Sequence, residues 1–137
     1  MAVEAGEDAI FSVSASGFHK LNYRWRKDGV PINDADPDRY SGTATPTLTV
    51  VSAHVKDQGN YDALVYFDGC LVASDPATLT ITCTGDLDRN GSVGAADLLI
   101  LLVSWGPCEG CPADFDGDGT VGASDLLALL VNWGPCP

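Results

Sequence analysis

Two twelve-residue stretches with the same pattern of acidic and amide side chains stand 28 positions apart. Residues 86–97 read DLDRNGSVGAAD, and residues 114–125 read DFDGDGTVGASD. A twelve-residue loop can supply a calcium ion with oxygen ligands from positions 1, 3, 5, 7 and 12, and position 6 is a glycine that turns sharply. That glycine is Gly91 in the first loop and Gly119 in the second. The spacing predicts two bound calcium ions.

The predicted metal ligands follow from the loop positions. In the first loop they are Asp86, Asp88, Asn90, Ser92 (through its backbone carbonyl) and Asp97; in the second they are Asp114, Asp116, Asp118, Thr120 (through its carbonyl) and Asp125. Asp97 and Asp125 are expected to dominate, because a position-12 carboxylate binds with both oxygens. Hard oxygen ligands disfavour transition metals. A solvated acidic turn is the alternative, but two in-register copies favour metal sites.

A short helix is predicted directly after each loop. The apolar runs 98–103 and 126–131 each end at Trp-Gly-Pro, where glycine suits a left-handed helix end and proline cannot continue the helix. Six successive apolar residues cannot all face one core. They predict either packing of the two helices against each other and the β-domain, or an apolar docking face. The docking face is favoured. Val93 and Val121, at position 8, predict a short ladder between the two loops.

The chain before residue 83 has a different periodicity. Short alternating segments such as 10–15, 23–26, 47–50, 61–66 and 78–81 are separated by turn signals, including Asp-Gly pairs. Regularly spaced short strands predict a β-sandwich. The chain is therefore expected to have two domains, residues 1–82 and residues 83–137.

The first part carries residues that are typical of one family. The run DQGNYDA at residues 57–63 matches the pattern D-x-G-x-Y-x-C except at its last position, and Trp25 lies in one of the predicted strands. The part resembles an I-set-like immunoglobulin domain, which implies a core role for Trp25 and a tyrosine corner at Tyr61. Val13 and Ala63 occupy the usual cysteine positions, so apolar packing must replace the inter-sheet disulfide. A spacer role is favoured over adhesion or ligand binding.

The second part lacks an entering helix before either loop, carries Asp at position 12 and is a tandem duplication. In these features it resembles type I dockerins, which implies a small all-α module with two EF-hand-like calcium loops. Such modules dock secreted proteins onto cohesin domains, often in polysaccharide-degrading assemblies. The resemblance departs at loop positions 10 and 11, which are Ala95, Ala96, Ala123 and Ser124, and in helices without Lys or Arg. That departure puts the usual cohesin contacts in question.

Four of the five cysteines follow the 28-residue repeat, at positions 83, 108, 111 and 136. Because dockerins bring their two ends together, the resemblance favours the pair Cys83–Cys136, and repeat symmetry then gives Cys108–Cys111. The set 83–108 with 111–136 stays open, and zinc binding is disfavoured. Cys70 is left over, either free or paired between chains.

Composition limits the function. The net charge of −12 argues against nucleic-acid and anionic membrane partners, and residues 83–137 alone carry a net −7 that two calcium ions would offset in part. No apolar run is long enough to predict membrane insertion. His19 and His54 lack neighbours at ligand spacing, and no catalytic set stands out.

We therefore expect a non-enzymatic, extracellular or cell-surface monomer, the C-terminal tail of a longer secreted protein. Its expected partner is a cohesin-like or other secreted protein. The alternatives are an anchoring or sorting tail without a cohesin, and the tail of a glycoside hydrolase whose catalytic domain lies upstream. Cysteine content is consistent with an oxidising compartment.

Overall fold

The structure is a computed structural model that describes residues 1–17, 20–33 and 38–137. Its contacts divide the chain into two compact units, a first unit of Met1–Ile81 and a second unit of Thr82–Pro137. His19 lies outside the described residues. No helix in the described ranges is both long enough and apolar enough to cross a membrane.

The first unit is built from short strands. They are β1 (Ala2–Glu4), β2 (Ala9–Ser12), β3 (Asn22–Lys27), β4 (Val30–Pro31), β5 (Tyr40–Ser41), β6 (Thr47–Val50), β7 (Gly59–Phe67), β8 (Cys70–Ala73) and β9 (Ala77–Thr82). Two tight hairpins connect neighbouring strands, and both central residues of each turn have positive φ, at Asp28-Gly29 and Asp68-Gly69. Positive φ at both positions matches the twist of a two-residue hairpin, so the sequence signal and the turn agree.

Two sheets form the sandwich. One has the order β1-β9-β7-β3-β4, with β8 also paired to β7, and the other has the order β2-β6-β5. In the long central pair, Trp25 of β3 lies opposite Ala63 of β7. The alternation predicted from the sequence is visible in β2, where Ala9 and Phe11 are buried and Ile10 and Ser12 are exposed.

Aromatic side chains fill the space between the sheets. Trp25 is buried, and the rings of Phe11 and Tyr61 stack with their centroids 4.7 Å apart. Val13 packs against this core and Ala63 is fully buried. Apolar packing therefore occupies the positions where a disulfide would join the sheets, as the sequence indicated.

The tyrosine corner ties β7 to the 3-10 turn Val55–Asp57. The buried Tyr61 hydroxyl donates to the Asp57 carbonyl (2.8 Å). The Asp57 carboxylate is itself buried, where it accepts from the His54 N–H (2.8 Å) and forms an ion pair with Arg39. A buried carboxylate needs such partners, so this corner fixes the end of the sandwich.

The second unit contains two helices and two short ladders. Its elements are β10 (Ser92–Val93), α1 (Ala95–Val103), β11 (Gly106–Pro107), β12 (Thr120–Val121), α2 (Ala123–Val131) and β13 (Gly134–Pro135). Each helix begins inside the twelve-residue loop, three residues earlier than the apolar run suggested. Each helix ends at a valine, so Gly106 and Gly134 open strands instead of capping a helix.

The ladder prediction was wrong. β10 and β12 do not pair with each other. β10 pairs with β13, which places Val93 opposite Gly134, and β12 pairs with β11, which places Val121 opposite Gly106. Each loop is thus closed by the Gly-Pro that follows the other repeat's helix. Both valines are buried, because this crossed pairing orients their side chains toward the core of the unit.

The core of the second unit is small. Its buried side chains are Val93, Leu101, Ala113, Val121 and Leu129, and the four repeat cysteines pack around them. Only one leucine of each helix is fully buried. Each helix therefore leaves most of its apolar side chains exposed or half-exposed.

Replacing Tyr61 with Phe removes the hydroxyl that donates to Asp57 and keeps the stacked ring. We expect the free energy of unfolding of the first unit to fall by about 1 kcal/mol, the typical worth of one hydrogen bond. Urea unfolding followed by amide NMR signals of residues 1–81 measures this. Tyr66→Phe, at an exposed ring, is the matched control, and equal effects of the two variants would contradict the role of the corner.

Candidate metal centre

The first loop gathers three carboxylates at one point. Asp86, Asp88 and Asp97 each place an oxygen within 4.8 Å of the others. Asp86 accepts from the N–H of Asn90 (3.1 Å) and from the N–H of Gly91 (2.9 Å). The chain therefore wraps around the Asp86 side chain, and the carboxylates are directed toward the inside of the loop.

The second loop repeats this arrangement with one difference. Here the clustered oxygens belong to Asp114, Asp116 and Asp118, again within 4.8 Å of one another. Asp114 accepts from the N–H groups of Gly117 and Gly119, both at 2.9 Å. Position 5 is an aspartate in this loop and an asparagine in the first, so the second loop has one more carboxylate to bring into the cluster.

The turn at position 6 depends on glycine in both loops. Gly91 has φ +87° and Gly119 has φ +85°, in the left-handed region that a side chain disfavours. This turn lets the N–H of each glycine reach the carboxylate of position 1. The sequence-based assignment of these glycines agrees with the backbone.

Asp97 and Asp125 have a second role that the loop pattern did not predict. Both carboxylates are 0% exposed. Asp97 accepts from Leu87 N–H (2.7 Å), Asp88 N–H (3.1 Å) and Gly94 N–H (2.8 Å). Asp125 accepts from the equivalent groups of Phe115 (2.7 Å), Asp116 (3.5 Å) and Gly122 (2.8 Å). Each aspartate thus joins the start of its loop to the first turn of its helix.

The pKa of both carboxyls is lowered. For Asp97, burial alone would raise the pKa, but the N–H groups of Gly94, Asp88 and Leu87 outweigh burial and bring the pKa below its ordinary 3.8. For Asp125 the Gly122 N–H is the largest influence, burial opposes it, and the net pKa is again lowered. Both groups are therefore anionic at neutral pH.

The other predicted ligands lie around these clusters. The Asn90 amide donates to Asp88 (2.9 Å), and its oxygen accepts from Ser92 N–H and hydroxyl (2.9 and 2.8 Å). Thr120 N–H donates to Asp118 (2.8 Å). Asp125 lies outside the three-carboxylate group of its loop, in contrast to Asp97 in the first loop.

The helix-capping role of position 12 had a sequence signal. An acidic residue three positions after a helix N-cap accepts from the N-cap N–H, and Gly94 to Asp97 and Gly122 to Asp125 have this spacing. The crossed ladders had a weaker sequence signal, which is the glycine in each Trp-Gly-Pro. These glycines have a positive φ, +109° at Gly106 and +120° at Gly134.

The donor set fits a hard divalent cation. Every side chain in the two clusters offers oxygen, and the cysteine sulfurs near the loops are held in disulfides. Three carboxylates so close together repel one another unless a cation lies between them. Carboxylate oxygens are ligands for hard divalent cations such as calcium and magnesium, and they disfavour transition metals.

The disulfides connect Cys83 with Cys136 and Cys108 with Cys111. This is the pairing that the sequence favoured. Their Cα atoms are 6.1 and 5.6 Å apart, within the range that a disulfide spans. Among the described residues, Cys70 is left as a free and exposed thiol.

Comparison with known proteins concerns the first unit. The family profile of the immunoglobulin I-set domain matches residues 1–84. No curated protein sequence matches the chain significantly. Among solved structures, tandem Ig repeats of Dlar align with TM-score 0.55 and 22% identity, over 60% of this chain and 43% of that chain.

Two further structures give the same result. The extracellular domains 3–5 of Drosophila OTK align with TM-score 0.53 and 20% identity, over 58% of this chain and 27% of that chain. Titin M4 aligns with TM-score 0.53 and 24% identity, over 60% of this chain and 85% of that chain. The chain thus spans less than half of the Dlar and OTK structures, and at these identities the likeness concerns the fold.

Acid should destabilise the second unit. A lowered pKa in the folded state stabilises the fold above the ordinary value of about 3.8, and this stabilisation is lost as the pH falls through the lowered pKa. In metal-free buffer we expect the thermal midpoint of the second unit to drop below pH 4, measured by calorimetry between pH 6 and pH 2.

The variants Asp97→Asn and Asp125→Asn test the assignment. Each should cost about 1–3 kcal/mol at neutral pH, because buried N–H groups lose a charged acceptor, and each should flatten the acid dependence. Glu109→Gln, at an exposed carboxyl of the same unit, is the control. An acid profile identical to that of the original chain in both aspartate variants would show that other groups control it.

Proposed function

We propose a function for this chain, which belongs to the immunoglobulin I-set family through residues 1–84. It is a non-enzymatic tail of a secreted protein. In this proposal the immunoglobulin-like unit is a spacer, and the second unit is a dockerin-like module that docks onto another protein when calcium is bound. The observation that carries the proposal is the pair of carboxylate clusters, Asp86/Asp88/Asp97 and Asp114/Asp116/Asp118.

Electrostatics supports calcium as the organising ligand. The second part holds one basic residue, Arg89, against eight acids. Among the described residues, the ion pairs found do not involve these loop carboxylates, which accept hydrogen bonds mainly from backbone N–H groups. Two calcium ions, one per loop, would offset four of the negative charges and couple metal binding to folding of the unit. Asp86 and Asp114 would be central, since the chain wraps around each.

The helices supply a surface for docking. On α1 the exposed side chains include Leu99 (63%) and Val103 (80%), and on α2 they include Leu127 (63%) and Val131 (76%). Trp105 and Trp133, which follow the two helices by two residues, are also half-exposed. Exposed apolar surface of this extent is typical of interaction sites. Neither helix contains Lys or Arg, so a matching partner would present apolar contacts.

The proposed partner is a cohesin-like domain or another secreted or surface protein. Extracellular placement is supported by the two disulfides and by the fold shared with the extracellular domains of OTK. A link to polysaccharide degradation rests on the resemblance to dockerins, and any catalytic domain would belong to a part of the parent protein upstream of this chain.

A second candidate is an anchoring or sorting tail that uses no cohesin. The specific observation in its favour is chemical: Ala95, Ala96 and Ala123 stand where related modules present hydroxyl groups to their partner. In that alternative, the apolar helix surfaces meet a component of the cell envelope. Calcium would have the same structural role in both candidates.

Calcium should stabilise the second unit and leave the first unit unchanged. At 100-fold excess over Kd we expect a gain of about 2.7 kcal/mol for each loop that binds, by mass action. Differential scanning calorimetry with calcium and with EDTA measures the shift, and titration calorimetry should count two ions. Asp88→Ala and Asp116→Ala should each remove one ion, whereas Asp75→Ala, in the first unit, should remove none. Unchanged melting with no calcium uptake would disprove the metal sites.

Docking should depend on the apolar helix surface and not on calcium affinity alone. We expect Leu99→Ser/Val103→Ser combined with Leu127→Ser/Val131→Ser to weaken binding to a recombinant type I cohesin by about tenfold or more, with calcium Kd values unchanged. Leu71→Ser, at an exposed leucine of the first unit, is the control. Failure of the calcium-loaded original chain to bind the cohesin would reject that partner in favour of the anchoring tail.

A further inference from the structure

Each disulfide lies at the base of one calcium loop and joins the two backbone segments that hold it. In the first loop, Cys83 C=O accepts from Asp86 N–H (3.0 Å), and Cys136 N–H donates to Gly91 C=O (3.0 Å). Asp86 and Gly91 are loop positions 1 and 6. The Cys83–Cys136 bond therefore fixes the distance between the segments that bear these two positions.

The second loop has the same construction. Cys111 C=O accepts from Asp114 N–H (3.1 Å), and Cys108 N–H donates to Gly119 C=O (2.9 Å). Asp114 and Gly119 are again positions 1 and 6. The Cys108–Cys111 bond therefore fixes the distance between the segments that bear these two positions. Both repeats thus have the same contacts between disulfide and loop, although the two disulfides differ in sequence separation.

The fixed distance matters to the clustered oxygens. The carboxylate of position 1 accepts from the N–H of position 6, at 2.9 Å in both loops. If the two segments separate, this carboxylate no longer keeps its place relative to the rest of the cluster. In the first loop the sulfur of Cys136 also lies 3.9 Å from Asp86 Oδ2, so the disulfide touches a predicted ligand directly.

The two bonds differ in what else they hold. Cys83–Cys136 has a sequence separation of 53 and closes nearly the whole unit, whereas Cys108–Cys111 has a separation of 3. A cross-link that closes a long loop restricts the unfolded chain more and so stabilises more. Loss of Cys83–Cys136 therefore affects the entire unit, and loss of Cys108–Cys111 affects mainly the turn that supports the second loop.

We propose that Cys108–Cys111 is a redox switch for the second calcium loop. Its reduction weakens calcium binding at Asp114, Asp116 and Asp118, while the first loop keeps its ion and the unit stays folded. The inference rests on the calcium binding proposed above and adds its regulation. Cys108 and Cys111 are both partly exposed residues.

The chemistry is thiol–disulfide exchange with a dithiol as reductant. One dithiol thiolate attacks a sulfur of the Cys108–Cys111 bond, which forms a mixed disulfide and releases the other cysteine as a thiolate that takes up a proton. The second dithiol sulfur then attacks the mixed disulfide and releases the remaining cysteine. The dithiol loses two electrons and two protons and becomes a cyclic disulfide, and the cysteines gain them. An oxidised small-molecule disulfide reverses the reaction.

Linkage requires the reverse effect. If closing the disulfide strengthens calcium binding by some factor, calcium must favour the closed disulfide by the same factor. This gives a second measurement in which Cys108 and Cys111 are both kept. It also distinguishes a coupled site from a disulfide that only adds stability, because general stabilisation would not depend on occupancy of the second loop.

The first experiment compares calcium binding by the full chain carrying Cys70→Ser with the same chain carrying Cys108→Ser/Cys111→Ser in addition. Titration calorimetry gives the two Kd values, and the amide NMR signals of Gly91 and Gly119 report the two loops separately. We expect the Kd of the second loop to rise by roughly 5- to 150-fold, the usual range of coupling between sites, and that of the first loop to change less than twofold. An unchanged second-loop Kd overturns the switch.

The second experiment tests the same proposal if the Cys108→Ser/Cys111→Ser variant does not fold. The Cys70→Ser chain is reduced with a dithiol buffer of graded potential, with calcium and with EDTA, and free thiols are alkylated and assigned by mass spectrometry. Calcium should shift the equilibrium for Cys108–Cys111 by the same 5- to 150-fold, and Asp116→Ala should abolish the shift. No shift overturns the inference and leaves calcium binding intact, whereas no calcium uptake by the oxidised chain overturns both proposals.

Discussion

A carboxylate without exposed surface must be satisfied by its surroundings, and the second unit is arranged around two of them. Asp97 and Asp125 each take three backbone N–H groups, two from the start of the loop and one from the start of the helix. One buried carboxylate therefore joins the start of each loop to the start of the helix that follows it. The small apolar core, the crossed ladders and the disulfides complete a framework whose centre is polar.

The first unit depends on ordinary sandwich packing, and its sequence predicted it well. Alternation located β2, β3, β6, β7 and β9 to within a few residues, but it did not predict the short strands β1, β4 and β5. Asp-Gly pairs located both hairpin turns, and Tyr61 made the corner bond that its family pattern implies. These features are local, or depend on a residue whose role is tied to one fold.

In the second unit the disulfide pairing was predicted as well, because the repeat left few arrangements of the four cysteines and the resemblance to dockerins favoured one of them.

The second unit shows where reasoning from sequence ends. Ligand spacing identified the loops, since the carboxylates that meet in space are two to eleven residues apart along the chain. The crossed pairing of Val93 with Gly134 and of Val121 with Gly106 was missed, because a two-residue strand carries no periodicity and its partner lies in the other repeat. The capping by Asp97 and Asp125 was missed because the loop pattern had assigned both residues to a predicted metal site.

The crossed ladders make the two repeats depend on each other for their folded state. The strand of each repeat finds its partner only after the helix of the other repeat, and the bond from Cys83 to Cys136 also joins the two repeats. The buried leucine of each helix lies in the same core cluster as that of the other. The two copies in the sequence therefore make one folding unit, in which neither repeat has a complete core or a complete ladder of its own.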